Sequence, residues 1–492
     1  MSDTNRVAIR AVKEGSFGVV PLTPDLRQLC ITGAPNLAFT PETVVSEKIR
    51  DDRQIDDLAL VGGEAAGDIN SELAFRVHDI LLEGAFFSTF QQRYVRENDA
   101  TATEVTNVDG TAEEFDVTDE GTAPVVDDIV RAEGFTNAAN NGFHIVTGAP
   151  TNTTVPVTSN LVDETPPSGA QLHVVGRRGA AGDIDATATP NTLTSVILDF
   201  TTLGLEPGDW IKLAGFTGNP ANDDFVRIAT IATNLIVLDL VPTGWAADTP
   251  AGAVDIFLGE RLKNGVLFQS YTLETEYQDH TPVTFQYFRG MVIDGAVITA
   301  APQAIVTTSF TFSGRDSLYS DATDPTTEFA VDGAGKVAGA TNIPLPPLQV
   351  LNSSSNVGRI ARGGVPITGK NFVLEASFEI ANNLRQLNAV GFLGAVDIGV
   401  GEFSVTGSLN TYFDDKSLAE DVVNNTETSF DVRFEDNDSH VVVIDAPRIK
   451  FSEGAPEIPG KNADVTIPLA YQAIREPTLN YTLKYTRFNG VQ

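Results

Sequence analysis

Apolar and polar residues alternate with a period of two over much of the chain's two ends, which predicts strands there. FVLEASFEI, EFSVTGSLNTYF, TSFDVRFED, HVVVIDAPRIKF and TLNYTLKYTRF, all between residues 372 and 488, are such runs, separated by Gly-, Asn- and Asp-rich turns. In the second, Phe403, Val405, Gly407, Leu409, Thr411 and Phe413 share one side and mostly polar residues the other, as suits a sheet with one wet face. Near the N-terminus DINSELAF is a further strand, and the period then changes. In RVHDILLEGAFFSTF, Val77, Leu81 and Ala85, with Leu82, make a stripe at spacings of three and four, which predicts a helix. SLAE at residues 417–420 has the spacing of a capping box and predicts a short helix over SLAEDVVNN, stopped by Asn424 and Asn425.

Between these ends the sequence repeats itself. GFTNAANNGF at 134–143 answers GFTGNPANDDF at 215–225, with Gly218 inserted. DATAT occurs at 99–103 and 185–189, Thr151-Asn152 pairs with Thr233-Asn234, and Gly169-Ala170 with Gly252-Ala253. Both copies close on Gly-X-Arg, at Gly176 and Arg178 and at Gly259 and Arg261. Each copy reads as short strands with turns; in the second these are TSVILDF, DWIKLAGF, FVRIAT and LIVLDLV. The expected domains are therefore 1–98, a core segment with an N-terminal arm; 99–178 and 179–262, two small β modules; and 263–492, the rest of the core. Two copies are too few for a solenoid. They read as outward-facing, dispensable modules, with Phe143 and Phe225 as equivalent core residues.

Composition supports a β-rich fold: 42% apolar residues with 28 Phe, 26 Pro, abundant Gly and only 20% charged. The formal charge of −34, from 66 acidic and 32 basic residues, opposes any grip on phosphate backbones. Cys30 is the only cysteine, so neither an intrachain disulfide nor a cysteine-based zinc site is expected. MSDTNRVAIRAVKEG does not read as a signal peptide, and no run approaches 18 apolar residues. A protein made in the cytosol is expected.

Catalytic constellations are absent from the pattern. Asp51-Asp52, Asp56-Asp57, Glu113-Glu114, Asp127-Asp128, Asp223-Asp224 and Asp414-Asp415 are pairs that so acidic a chain carries on solvated surfaces. The five histidines, at 78, 144, 173, 280 and 440, show no metal or triad spacing. DSLYSDATD (316–324) and EDNDS (435–439) offer oxygen ligands without EF-hand spacing and read as Asx turns. GAGK (333–336) lacks the rest of a P-loop. No catalytic residue, metal or cofactor is expected.

The ends of the chain resemble the major tail tube proteins of long-tailed, non-contractile phages. TVVSEKIRDDRQIDDLALVGGEAAGDINSELAF (43–75) with HDILLEGAF (78–86), and NNLRQLNAVGFLGAVDIGVGEFSVTGSLNTYFDD (382–415) with DAPRIKFSEGAPEIPGKNADVTIPLAYQAIREPTLNYTLKY (445–485), carry the resemblance. KNGVLFQSYTLETEY (263–277) and FRGMVIDG (288–295) extend it. The resemblance implies a mainly β fold: a tail-tube β-sandwich or barrel core with short flanking helices, here interrupted by the tandem modules. It implies homohexameric rings stacked into a hollow tube, a place in the virion tail after assembly in the host cytoplasm, and tape measure and tail terminator partners. DNA would pass without specific binding, and no membrane is involved. For Arg50, Asp51, Asp52 and Arg53, a contact between rings and a solvated face both remain open. A β-module fibre or adhesin that binds a surface or carbohydrate is the alternative for the whole chain.

Overall fold

A computed structural model describes residues 3–33, 35–158, 160–346, 349–367 and 370–491. The fold is mainly β, with several sheets and, among the described residues, two short α-helices. The chain forms two compact units: Met1–Thr89 with Asn264–Ser353 and Leu374–Asn410, and Phe90–Lys263 with Ser354–Val373 and Thr411–Gln492.

In the first unit, β1 (Val7–Lys13), β2 (Asp25–Gln28), β3 (Ala38–Val45) and β4 (Leu58–Glu72) precede helix α1 (Asp79–Phe86). After residue 263 come β5 (Tyr271–Tyr277), the 17-residue β6 (Thr284–Ala300), β7 (Thr307–Gly314) and β8 (Asp316–Ser320). All pairings among them are antiparallel: β1 with β2 and β5, β5 with β6, β6 with β7 and β8, β7 with β4, and β4 with β3. β1 lies between β2 and β5, and its Ile9 and Ala11 are almost fully enclosed. Helix α1 is shorter than its apolar stripe predicts and buries Leu81, Leu82 and Ala85. Gly84 lets it approach the sheet, because a Cβ there would lie 2.5 Å from the Tyr271 hydroxyl. That hydroxyl donates to the Ile80 carbonyl at 2.7 Å.

The rest of the chain supplies β9 (Val357–Arg362), β10 (Val365–Pro366), β11 (Val373–Ala381) and β12 (Ser404–Tyr412). Helix α2 (Ser417–Asn424) follows, then β13 (Glu427–Glu435), β14 (Val441–Gly454), β15 (Thr466–Ala473) and β16 (Lys484–Phe488). The alternation read in EFSVTGSLNTYF is realised in β12, where Val405, Gly407, Leu409 and Thr411 are buried and their neighbours half-exposed. Helix α2 spans the predicted residues and ends on Asn425 in the left-handed conformation. Its start differs from the capping box: Ser417 is already helical, and Asp415 accepts from the Ser417 backbone and hydroxyl.

The repeats lie in the second unit and have separate cores. Val130, Ala132, Phe135 and Leu172 belong to one; Ile211, Leu213, Phe216 and Ile256 belong to the other. Strand Gln171–Arg178 pairs antiparallel with Asp255–Leu258, so one ten-stranded sheet runs through both repeats. Phe143 and Phe225 are equivalent but sit in neither repeat core. They join a third cluster with Trp210, Phe257, Val441, Val443, Phe488 and Val491, in which Phe225 is buried and Phe143 partly so.

The asparagines of the repeated motif hold its loops. Asn140, fully buried, accepts from the Val162 N–H and donates to the Val162 carbonyl. Asn222 does the same with Ala246. Asn141 and Asp223 each accept the N–H of the motif phenylalanine, Phe135 and Phe216. Other sequence matches shift in space. The carbonyl facing Gly134 is that of Gly169, whereas the one facing Gly215 is that of Ala253, one residue beyond the Gly252 of the sequence match. Arg177, not Arg178, therefore corresponds to Arg261; these two bind the equivalent aspartates Asp128 and Asp209. DATAT is a strand at 185–188 but a turn built on the Asp99 carboxylate at 99–103, so that match is coincidental in the fold. TSVILDF leaves the sheet after Thr194: the Asp183 carboxylate accepts the N–H groups of Val196 and Ile197 and turns the run into a loop.

Candidate assembly surface

The β3–β4 hairpin exposes apolar surface. Edge strand β3 pairs with β4 along one side, and among the described residues no strand pairs its other side. Val44, Val45, Leu58, Leu60 and Val61 are about half exposed on the two strands. Ile49 and Ile55, in the connecting loop, are 102% and 74% exposed. Exposed apolar residues on an open edge strand template pairing with another chain.

Arg50, Asp51, Asp52 and Arg53 lie in this connecting loop, all exposed. Arg50 donates to both Asp52 oxygens at 2.9 and 2.7 Å and to Asp56 at 2.7 Å. Lys48 reaches the other Asp56 oxygen at 2.6 Å. The bond from Arg50, then that from the Gln54 N–H, holds Asp52 below the usual carboxylate range. Arg53 takes a positive φ of 60° and marks the turn. The loop is thus folded by its own ion pairs while its isoleucines face solvent.

A second exposed apolar segment of the same unit follows Arg385–Leu387. Val390 is fully exposed, and Phe392 and Leu393 more than half. The Leu393 carbonyl would lie 3.7 Å from a Cβ at Gly62 of β4, so this loop runs beside the hairpin.

The acidic pairs serve backbone and arginine. Glu113 accepts from the Leu161 N–H, Asp128 binds Arg177, Asp224 binds Arg433, and Asp415 caps α2. The histidines are similarly engaged. His78 is buried beside the Glu72 carbonyl at 2.8 Å, and burial pulls it down to about 4. Asp436, Asp438 and His440 are the only described cluster of three potential metal ligands. The Asp436 carboxylate, however, accepts the N–H groups of Asp438 and His440 and lies 2.8 Å from His440 Nδ1. Burial opposes the His440 charge, but Asp436 and Glu133 outweigh it and push the imidazole up to about 9. EDNDS is thus an Asx turn, closed on the Asp436 carboxylate by its own backbone N–H groups and by His440. GAGK is a turn on the Asp332 carboxylate. In the second unit a cleft of about 600 Å³ lies between the loop at Pro220–Asn222 and residues 357–373, and its Arg433 and Asp224 pair with each other.

These exposed strand edges and charge-paired turns suit self-association. A search of curated proteins finds no match. The family model described as phage tail tube protein matches residues 4–473, nearly the whole chain. This chain belongs to the phage tail tube protein family, whose members are structural components of the virion tail.

Proposed function

We propose that the chain is the tail tube subunit of a long-tailed, non-contractile phage and that it acts without catalysis. Subunits assemble in the host cytoplasm into rings in which six tail-tube folds surround a lumen, and the rings stack into the tube that conducts DNA. Tape measure and tail terminator proteins would meet this tube inside and at its end. The observation that carries the reading is the β3–β4 hairpin, with its unpaired edge and exposed aliphatic residues. The Arg50–Arg53 segment at its end would contact the neighbouring ring, with Ile49 and Ile55 beside it. The two tandem modules would lie on the outside of the tube.

The charge supports passage without binding. Residues 99–261 hold 24 acidic and 6 basic residues, a net −18, which leaves −16 on the remainder. A carboxylate-rich lumen offers passing phosphates no ordered cations whose pairing would release counterions. Electron microscopy of the purified protein provides the test: stacked hollow tubes are expected, whereas trimeric fibres would favour an adhesin.

A further inference from the structure

The two strand sets have the same construction. Apart from a short hairpin of Arg385–Leu387 with Asp397–Gly399 between β11 and β12, which forms a sheet of its own, the first set, β1 to β8 with α1, and the second, β9 to β16 with α2, each run strand, strand, strand, strand, helix, strand, strand, strand, strand. Their pairings correspond one for one. β1 pairs with β2 and β5 as β9 pairs with β10 and β13. β5 pairs with β6 as β13 with β14. The long β6 holds β8 along its beginning and β7 along its end, as β14 holds β16 and β15. β7 pairs with β4, and correspondingly, within the second unit, the Phe413 N–H just past β12 donates to the Val465 carbonyl just before β15. β3 lies beside β4 as β11 lies beside β12, where Ser377 and Ser408 share a 2.9 Å hydroxyl bond. Each helix packs on the long strand: Gly84 of α1 faces Ile293, and Val422 of α2 faces Gly454. Nine elements in one order with one set of pairings do not recur by accident, because each antiparallel partner is a separate choice. Residues 90–263, which contain the tandem modules, interrupt only the first set, between α1 and β5.

One joint between the sets is visible. In the first unit, the end of β6 pairs with β11, from Gly295 opposite Ala381 to Ala300 opposite Ala376. β11 is the second set's counterpart of β3, and β6 is the first set's counterpart of β14. The counterpart joint would therefore unite the end of β14 with β3. Among the described residues β3 pairs only with β4, and no strand pairs the edge of β14 that carries β13 beyond Lys450. Two unmatched, complementary edges on one subunit make a head-to-tail contact, which closes into a ring when the rotation allows.

We infer that the chain is a tandem duplication of the tail-tube fold, and that β3 of one subunit takes the end of β14 of a second copy of this chain. The inference rests on the tail tube reading above. Each subunit then supplies two of the six folds around the lumen, and three chains, not six, complete a ring. The strands of the ring alternate between a joint inside a chain and the same joint between chains.

Cryo-electron microscopy of tubes assembled from the full chain decides the stoichiometry. The expected ring has three chains, threefold symmetry and sixfold density at low resolution. Tubes with six chains per ring overturn the inference and leave the tail tube reading standing; a protein that stays monomeric at every concentration overturns both. Thr40→Cys with Ser452→Cys, in a Cys30→Ser background, tests the joint separately. Oxidised tubes are expected to give covalent trimers in denaturing gels, and failure to crosslink in well-formed tubes would place the contact elsewhere.

Discussion

At the residue scale, the asparagine of the repeated motif explains why the motif persists. A buried backbone N–H and C=O need partners, and the Asn140 and Asn222 side chains present an acceptor and a donor in the required pairing. Asn222→Ala leaves the Ala246 amide without either bond and should cost about 1–3 kcal/mol, read as a lower midpoint in urea denaturation. The buried charges are more demanding. Arg227 reaches Asp239 at 2.8 Å and Asp445 at 3.0 Å, while Lys484 reaches Asp209 at 2.9 Å with its side chain fully enclosed. Removing one member strands the other in a poorly solvated site. Arg227→Met should therefore cost about 3–5 kcal/mol, and calorimetry of the variant checks this. The Arg227–Asp445 and Lys484–Asp209 pairs were not readable from the sequence, because their members lie far apart along the chain. The Asn-rich turns were readable, their hydrogen-bond partners not.

At the scale of elements, the turn between β13 and β14 is a pH-sensitive fastening. His440 bridges Asp436 and Glu133, and Arg131 donates to the Asp438 carbonyl at 2.9 Å beside Glu133. The folded His440 value of about 9 lies above the ordinary imidazole value near 6.5. The folded state thus binds the proton more tightly, and this contribution is complete below about pH 6.5 and lost as pH rises through about 9. Thermal melts between pH 6 and 10 should show the native protein losing on the order of 2–3 kcal/mol more than His440→Gln; parallel curves would refute it. Sequence alternation located the strands on either side of this turn but not the turn's partner. In TSVILDF apolar content predicts a strand, yet Asp183 competes for its backbone N–H groups and makes a loop that leaves Val196 and Ile197 exposed.

At the scale of the whole molecule, the modules are fastened to the C-terminal strands within the second unit. Trp210 and Phe225 share a cluster with Val441, Val443 and Phe488, and Lys484 and Asp445 find their partners on the second repeat. Replacing residues 99–261 with a short linker would expose that cluster and leave Lys484 and Asp445 buried without counterions. The excised chain should unfold or aggregate rather than polymerise, contrary to the dispensability that tandem repetition suggests; limited proteolysis of residues 354–373 and 411–492 measures it. Small substitutions on the module surface should leave assembly unchanged. The three-chain ring also belongs to this scale, since it depends on edges that no single strand defines.

The sequence by itself determined the β class, the positions of both short helices, the existence of the tandem repeat and the family resemblance. Those features follow from local period, turn chemistry and near-identical motifs. Only the tertiary structure decided which strands pair, that the repeat phenylalanines face the C-terminal strands, and that the flanking strands form the same fold twice. Alternation gives every half-buried strand the same pattern, so it cannot name a partner; register and pairing are set by contacts between residues hundreds of positions apart. The two strand sets keep the order of their elements and the pairing of their edges, which hydrogen bonds enforce whatever the side chains are.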